Sequence, residues 1–305
     1  MAESLMDIKR RISSTKKTGQ ITKAMQMVSG AKLSRIEKKS IAYQLYEKKV
    51  EDIVRHLTAA DVFKELSVAD DSTDPLSLNS LLKVREVKKT AYVVITSDRG
   101  LVGGYNSNIL KAMMDLFQKK YHGDKSKFTI ISLGATGTEF FKARGFDVAY
   151  EYTGLPDIPT VEDITPIMKT ILQMYQAELF DEIDICHNHH VNSLVSKFTT
   201  QKLLPLTEPD DVTAEEQQVA SEYITEPNPK AVLSAIVPQY IECLVLGAMM
   251  DAKTAEHAAS VTAMKSASDN ADDLIAGLSL HYNRARQAQI TTEITEIIGG
   301  AAALE

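Results

Sequence analysis

The first 57 residues contain no proline, and their only glycines are Gly19 and Gly30. Leu5, Ile8 and Ile12, then Ile21, Met25 and Val28, fall at helical spacing, and Ile36, Tyr43, Val50 and Leu57 recur in steps of seven. The pattern predicts one helix from Glu3 to about Leu57, extending about 80 Å at about 1.5 Å per residue. Helices in compact domains average about three to four turns. A rod this long needs a partner along its length.

A second long helix is predicted at the other end of the chain. Asn228 suits an N-cap and Pro229 the first helical position, where its missing N–H costs nothing. From there the helix is expected to reach Ile298 and to stop at Gly299 and Gly300, with a kink at Pro238. Ala248, Ala252, Ala255, Ala259, Ala263 and Ala267 form a stripe that lets a neighbouring backbone approach closely.

Charge points to the same pairing. Residues 1–57 hold thirteen Lys/Arg against six acids, a net of +7, while residues 211–305 hold five against fourteen, a net of −9. Apolar stripes drive such a pair, and opposite charges beside them bias its register. Heptad steps imply a left-handed supercoil.

Between the helices the pattern changes. Residues 67–80, SVADDSTDPLSLNS, read as a linker. Apolar runs at Ala91–Thr96, Phe128–Leu133, Phe146–Tyr152, Glu182–His189 and Lys197–Leu204 read as strands. Helical stretches at Asn106–Lys120, Thr136–Arg144 and Val161–Glu178 separate the first four. Strands alternating with helices imply βαβ units and a mainly parallel sheet. The expected fold is mixed α and α/β: an antiparallel coiled coil of long N- and C-terminal helices flanking an inserted, Rossmann-like α/β domain. Expected boundaries are 1–66 for the first helix, 67–82 for the linker, 83–207 for the α/β domain and 208–305 for the second helix. Because the inserted domain joins the end of one helix to the start of the other, the pair must be antiparallel.

A formal charge of −7 and a pI near 5.6 give no bulk electrostatic reason to bind nucleic acid. Cys186 and Cys243 lie far apart, which fits a reducing compartment without a disulfide framework. The longest apolar run, Leu244–Met250, falls short of the roughly 18–20 residues that cross a bilayer. The N-terminus carries acids and lacks a signal-peptide apolar region, so it reads as mature structure.

Two stretches invite a chemical reading. In ITSDRGLVGGYN, residues 95–106, three glycines precede a helix. A Walker cradle needs Gly-Lys-Ser/Thr at its close and a dinucleotide fingerprint needs Gly-x-Gly-x-x-Gly, and neither is present. The loop reads as a tight strand-to-helix turn, with no cofactor. The second stretch holds Cys186, His187, His189 and His190. Strand alternation puts His187 and His189 on one face and Cys186 and His190 on the other, so one tetrahedral metal site does not close. No metal is expected, and the stretch reads as a partly exposed strand edge or end.

Three segments carry a family resemblance: IKRRISSTKKTGQITKAMQMVSGAKL at 8–33, TSDRGLVGGYN at 96–106 and NRARQAQITTEITEIIGGAAAL at 283–304. The last is the most specific. Along nearly its full length the chain resembles the gamma-subunit family of bacterial-type F-type ATP synthases. The resemblance implies a non-catalytic rotor: the coiled coil stands inside the alpha-beta hexamer, and the α/β domain grips the epsilon subunit and the membrane ring of c subunits. Rotation of the ring then changes nucleotide affinity on the hexamer, during ATP synthesis or hydrolysis. Its implied place is the cytoplasmic face of the bacterial cell membrane, peripheral, with membrane association only through the c ring.

The resemblance also carries residues. Arg286, Gln287, Thr291 and Glu293 match positions that touch the hexamer in a catch region, as do Lys23 and Met25 on the first helix. Asp98, Arg99 and Gly100 match a loop facing the hexamer's lower end, and Tyr223 and Glu226 match the c-ring side. Val102 stands where many relatives have cysteine. Ile290, Ile294 and Ile297 are expected to form the apolar seam against the first helix. Two alternatives stand beside this reading. One is an ATPase with coiled-coil arms, which needs a phosphate loop that is absent, and the other is a coiled-coil adaptor or arm protein whose α/β domain binds no nucleotide.

Overall fold

The computed structural model describes residues 4–59, 81, 84–206, 226 and 228–302. Most of the expected linker and Tyr223 lie outside the described residues. In chain order the elements are α1 (Leu5–Ala59), β1 (Thr90–Ile95), α2 (Tyr105–Tyr121), β2 (Phe128–Leu133), α3 (Ala135–Ala143), β3 (Val148–Tyr152), α4 (Val161–Gln176), β4 (Glu182–His190), β5 (Ser196–Leu204) and α5 (Pro229–Ala302). The chain divides into two compact units, residues 1–30 with 260–305 and residues 31–259.

The first unit pairs α1 with α5. Ser29 Oγ lies 3.0 Å from Ser260 Oγ and Thr22 Oγ1 lies 2.8 Å from Ser268 Oγ. A Cβ placed on Gly19 would stand 3.2 Å from the Ala271 Cβ. As one number rises the other falls, so the pair is antiparallel, as expected, and partners sum to 289 or 290. Small side chains let the backbones approach, and Ile8, Met264 and Ala271 are buried. Two contacts in this register are hydroxyl pairs.

Two expectations about α5 need correction. The helix does not stop at Gly299 and Gly300 but runs on to Ala302. Glycine weakens a helix by about 1 kcal/mol relative to alanine without forbidding it. Nor do Ile290, Ile294 and Ile297 form a seam with α1: they are 43%, 51% and 71% exposed. The register explains why, since α1 begins at Leu5, opposite the region of residue 285. Beyond that point α5 has outrun its partner.

The second unit is built on a five-stranded sheet of order β3-β2-β1-β4-β5. β1 pairs in parallel with β2 and β4, β2 pairs in parallel with β3, and β4–β5 is antiparallel. β1 is buried at all six positions because both faces of the sheet are covered. Its odd-numbered Ala91, Val93 and Ile95 face α4 and α5, and its even-numbered Tyr92 and Val94 face α2 and α3. On α4 the buried residues Ile164, Ile167, Met168, Ile171, Leu172 and Tyr175 follow helical spacing. The Asp163 carboxylate accepts the Thr160 N–H at 2.9 Å and fixes where that helix starts.

Helix α5 continues through Pro238 and lays Leu233, Val237, Ile241 and Val245 on this core. The Tyr43 hydroxyl of α1 donates to the Cys243 carbonyl at 3.2 Å, tying the two helices together in this unit. Over an 18-residue window α5 is apolar enough to pass as a membrane span by composition, which unbroken apolar runs did not suggest. Half of that window is buried inside the protein.

Candidate functional site

The loop after β1 closes on itself. The Asn106 side chain accepts the Ser97 N–H at 3.0 Å and donates to Ser97 Oγ at 2.6 Å, while Ser97 Oγ donates to the Arg99 carbonyl at 2.7 Å. Asp98 reaches outward from the loop to the neighbouring turns: its two carboxylate oxygens accept the Ala135 and Gly154 N–H groups, each at 3.0 Å. The start of α3 is where a parallel sheet ordinarily offers N–H groups to phosphate. Here Ala135 donates to Asp98, Thr136 to the Ser97 carbonyl and Gly137 to Thr96 Oγ1. The protein's own carboxylate fills the anion position.

The crevice between β1 and β4 is occupied in the same way. Strand order reverses there, which in open α/β sheets is where ligands bind. Tyr105 is buried at that point against Val102 and Ala255 of α5, and its carbonyl accepts the Asn188 side-chain amide at 2.9 Å. Gly134 and Gly137, beside the loop, serve packing. A Cβ on Gly134 would collide with the Thr96 carbonyl, and one on Gly137 would stand 2.8 Å from Thr96 Oγ1.

Of the three loop residues singled out in the sequence, Asp98 is thus half-buried and structural, while Arg99 and Gly100 are exposed. Beside them Leu101 is 66% exposed with φ of 66°, a left-handed conformation that costs a leucine about 1–2 kcal/mol. Nothing in the residue pattern marks Leu101, because the strain belongs to the backbone.

The histidine stretch ends β4 with His189 exposed, matching the partly exposed strand end expected, but its inner part is buried against α5. His187 is 5% exposed. Its Nε2 lies 3.1 Å from Asp251 Oδ2 on α5, His189 Nδ1 lies 2.6 Å from the same oxygen, and the His190 N–H donates to Asp251 Oδ1 at 2.9 Å. Alternation correctly puts His187 and His189 together. It fails at the strand end, where the His190 side chain reaches Glu37 of α1 at 3.8 Å. Burial opposes ionisation of Asp251, yet the hydrogen bonds from His187, the His190 N–H and His189 hold its carboxyl below the ordinary range. Asp251 was not foreseen, being more than 60 residues away in sequence on a helix read only for its alanines. Among the described residues no group of three His, Cys, Asp or Glu is arranged to hold a metal ion.

The catch residues lie in the first unit. Arg286, Gln287, Thr291 and Glu293 are all exposed; Thr291 Oγ1 donates to its own helix at the Gln287 carbonyl, and Glu293 accepts from Gln289. Lys23 is exposed and Met25 half-buried. By the helix register, position 23 lies opposite 267, so the two sets stand 19 residues apart along α5, about 30 Å. The structure does not bring them into one site. Glu226 is exposed.

Comparison with known proteins gives this geometry its context. A family model described as ATP synthase matches residues 4–304. The ATP synthase gamma chain of Latilactobacillus sakei is 56% identical over 318 residues, and that of Enterococcus faecalis 52% identical over 307, each alignment covering all of both chains. The chain belongs to the ATP synthase gamma-chain family.

Solved structures related to the family share its fold. A chain of the Tetrahymena thermophila mitochondrial ATP synthase, from a structure of its central stalk and c ring, matches with a TM-score of 0.59 at 21% identity. The match covers 81% of this chain and 99% of that one. A chain of the Euglena gracilis mitochondrial ATP synthase matches with a TM-score of 0.56 at 18% identity, covering 90% and 95%. Members of the gamma-chain family are non-catalytic subunits, and a loop whose anion position holds Asp98 suits that role.

Proposed function

We infer that this chain is the central rotor subunit of an F-type ATP synthase, coupling rotation to nucleotide affinity on other chains. The observation that carries the reading is 56% identity over the whole of both chains to an ATP synthase gamma chain. Physical features of the first unit support it. Past residue 285, α5 exposes Ile290, Ile294, Ile297 and Ile298 beside Arg286 and Gln287. Apolar contacts are non-directional, so such an end can turn inside an encasing sleeve, while arginine and glutamine donors make and break bonds with loop carboxylates and carbonyls.

In this reading the sleeve is the alpha-beta hexamer, touched by Arg286, Gln287, Thr291 and Glu293 and by Lys23 and Met25 at a second level. Arg99, Gly100 and Leu101 contact its lower end, with Asp98 holding their loop. Epsilon and the c ring engage the α/β domain and the Tyr223–Glu226 segment, on the cytoplasmic face of the bacterial membrane. Each catalytic subunit meets a different face of the rotor, and differential contact energy selects its conformation.

The test is reconstitution. The isolated chain is expected to hydrolyse no ATP and to raise the turnover of an alpha-beta hexamer. Arg286→Ala with Gln287→Ala should lower that turnover while leaving assembly intact. Equal turnover with and without the chain would refute the reading.

A further inference from the structure

A cavity of about 200 Å³ lies in the second unit among α1, β4 and α5, and the proposed function makes no use of it. Its carboxylates, Glu47 and Asp251, are treated differently. Asp251 is fully engaged by His187, His189 and the His190 N–H. Glu47 extends over Gly247, where an added Cβ would stand 2.6 Å from a carboxylate oxygen and push the Glu47 side chain aside. No described hydrogen bond reaches the Glu47 carboxylate, although the residue is half-buried. An unpaired carboxylate beside a clamped one is an unfavourable arrangement unless a proton is available.

We propose that Glu47 is the working part of an acid-tightened latch between α1 and α5: on taking a proton it ceases to repel Asp251 and becomes a hydrogen-bond donor inside the cavity. Gln44, which lines the same space, offers an acceptor. Among the described residues facing Glu47, no lysine or arginine is paired with it. On α1 they are Tyr43 and Glu51, and Glu51 already lies 3.5 Å from Arg55. On α5 they are Asp251, Tyr240 and Cys243; β4 presents His187 and His189, both turned to Asp251, and β5 presents the neutral Thr199 and Gln201.

Burial first, then the charges of Glu51 and Asp251, push the Glu47 carboxyl from its ordinary 4.5 up to about 7. Between those values the folded state holds the proton and the unfolded state releases it. The stabilisation is therefore complete below 4.5 and lost as pH rises through about 7. Asp251 runs the other way: its carboxyl is held low, so its clamp is lost only as pH falls below the ordinary carboxylate range. At mildly acidic pH both act together.

Hydrogen–deuterium exchange on the full chain at pH 5.5 and 8.0, corrected for intrinsic rates, tests this in segments 40–51 and 243–251. Wild type should be more protected at pH 5.5, on the order of tenfold. Glu47→Gln should show the acid-like protection at both values. Equal wild-type protection at the two pH values, or an unchanged pH step in Glu47→Gln, overturns the proposal. Should that variant fail to fold, His189→Gln decides: the step must survive it, and a step lost with Glu47 intact would belong to the histidines.

Discussion

On one face of the sheet Tyr92, Phe117, Phe128 and Phe141 are at most 3% exposed, whereas in the helix pair Ile21, Met27, Leu280, Ile294 and Ile297 are each more than half exposed. The first unit has a single seam in which Ile8 and Met264 are buried among small side chains and hydroxyls. The second has layers of helix on both faces of a sheet. A fully buried large apolar side chain contributes about 1.5–3 kcal/mol relative to leaving it in water, so the sheet unit holds itself together and the helix pair leaves much of that free energy unused. Its apolar surface is available to whatever surrounds it.

This contrast can be tested by mutation. The largest effect is expected in the sheet unit: Phe117→Ala empties a site stacked on Phe128 at 4.1 Å between ring centroids, and should cost about 3–5 kcal/mol in chemical denaturation. Asp251→Ala should cost less, about 2 kcal/mol, because the buried His187 loses its acceptor while the repulsion of Glu47 is relieved. In the helix pair, Ala271→Leu places a large side chain against Gly19 and should lower stability by about 1–3 kcal/mol, read as earlier thermal loss of helix. Smallest is Ile294→Ser, within about 0.5 kcal/mol for the isolated chain because the site is exposed. The same variant should measurably slow turnover of the assembled enzyme, and a chain destabilised by it would mean that α5 has a partner there after all.

Much of this architecture was legible in the residues. Apolar runs and helical spacing located the five described strands and the helices between them, and the absence of proline before residue 57 announced α1. What escaped depends on lengths and distances that a local pattern does not carry. The isoleucines after 285 keep the spacing of a seam, but a seam needs an opposing helix, and α1 starts too late to supply one. Spacing between His187 and His189 gave their shared face, yet their acceptor lies on α5, brought there only by packing on the sheet. The loop at 95–106 lacked a phosphate motif in sequence. The structure adds the cause, since Asp98 itself occupies the anion position at α3.

The most direct measurement attaches a rod to the α/β domain of this chain, with an alpha-beta hexamer fixed to a surface, and supplies ATP. Sustained turning of the rod in one direction, requiring ATP, is the predicted result. A rod that stays still or only jitters while the hexamer consumes ATP would contradict a rotor.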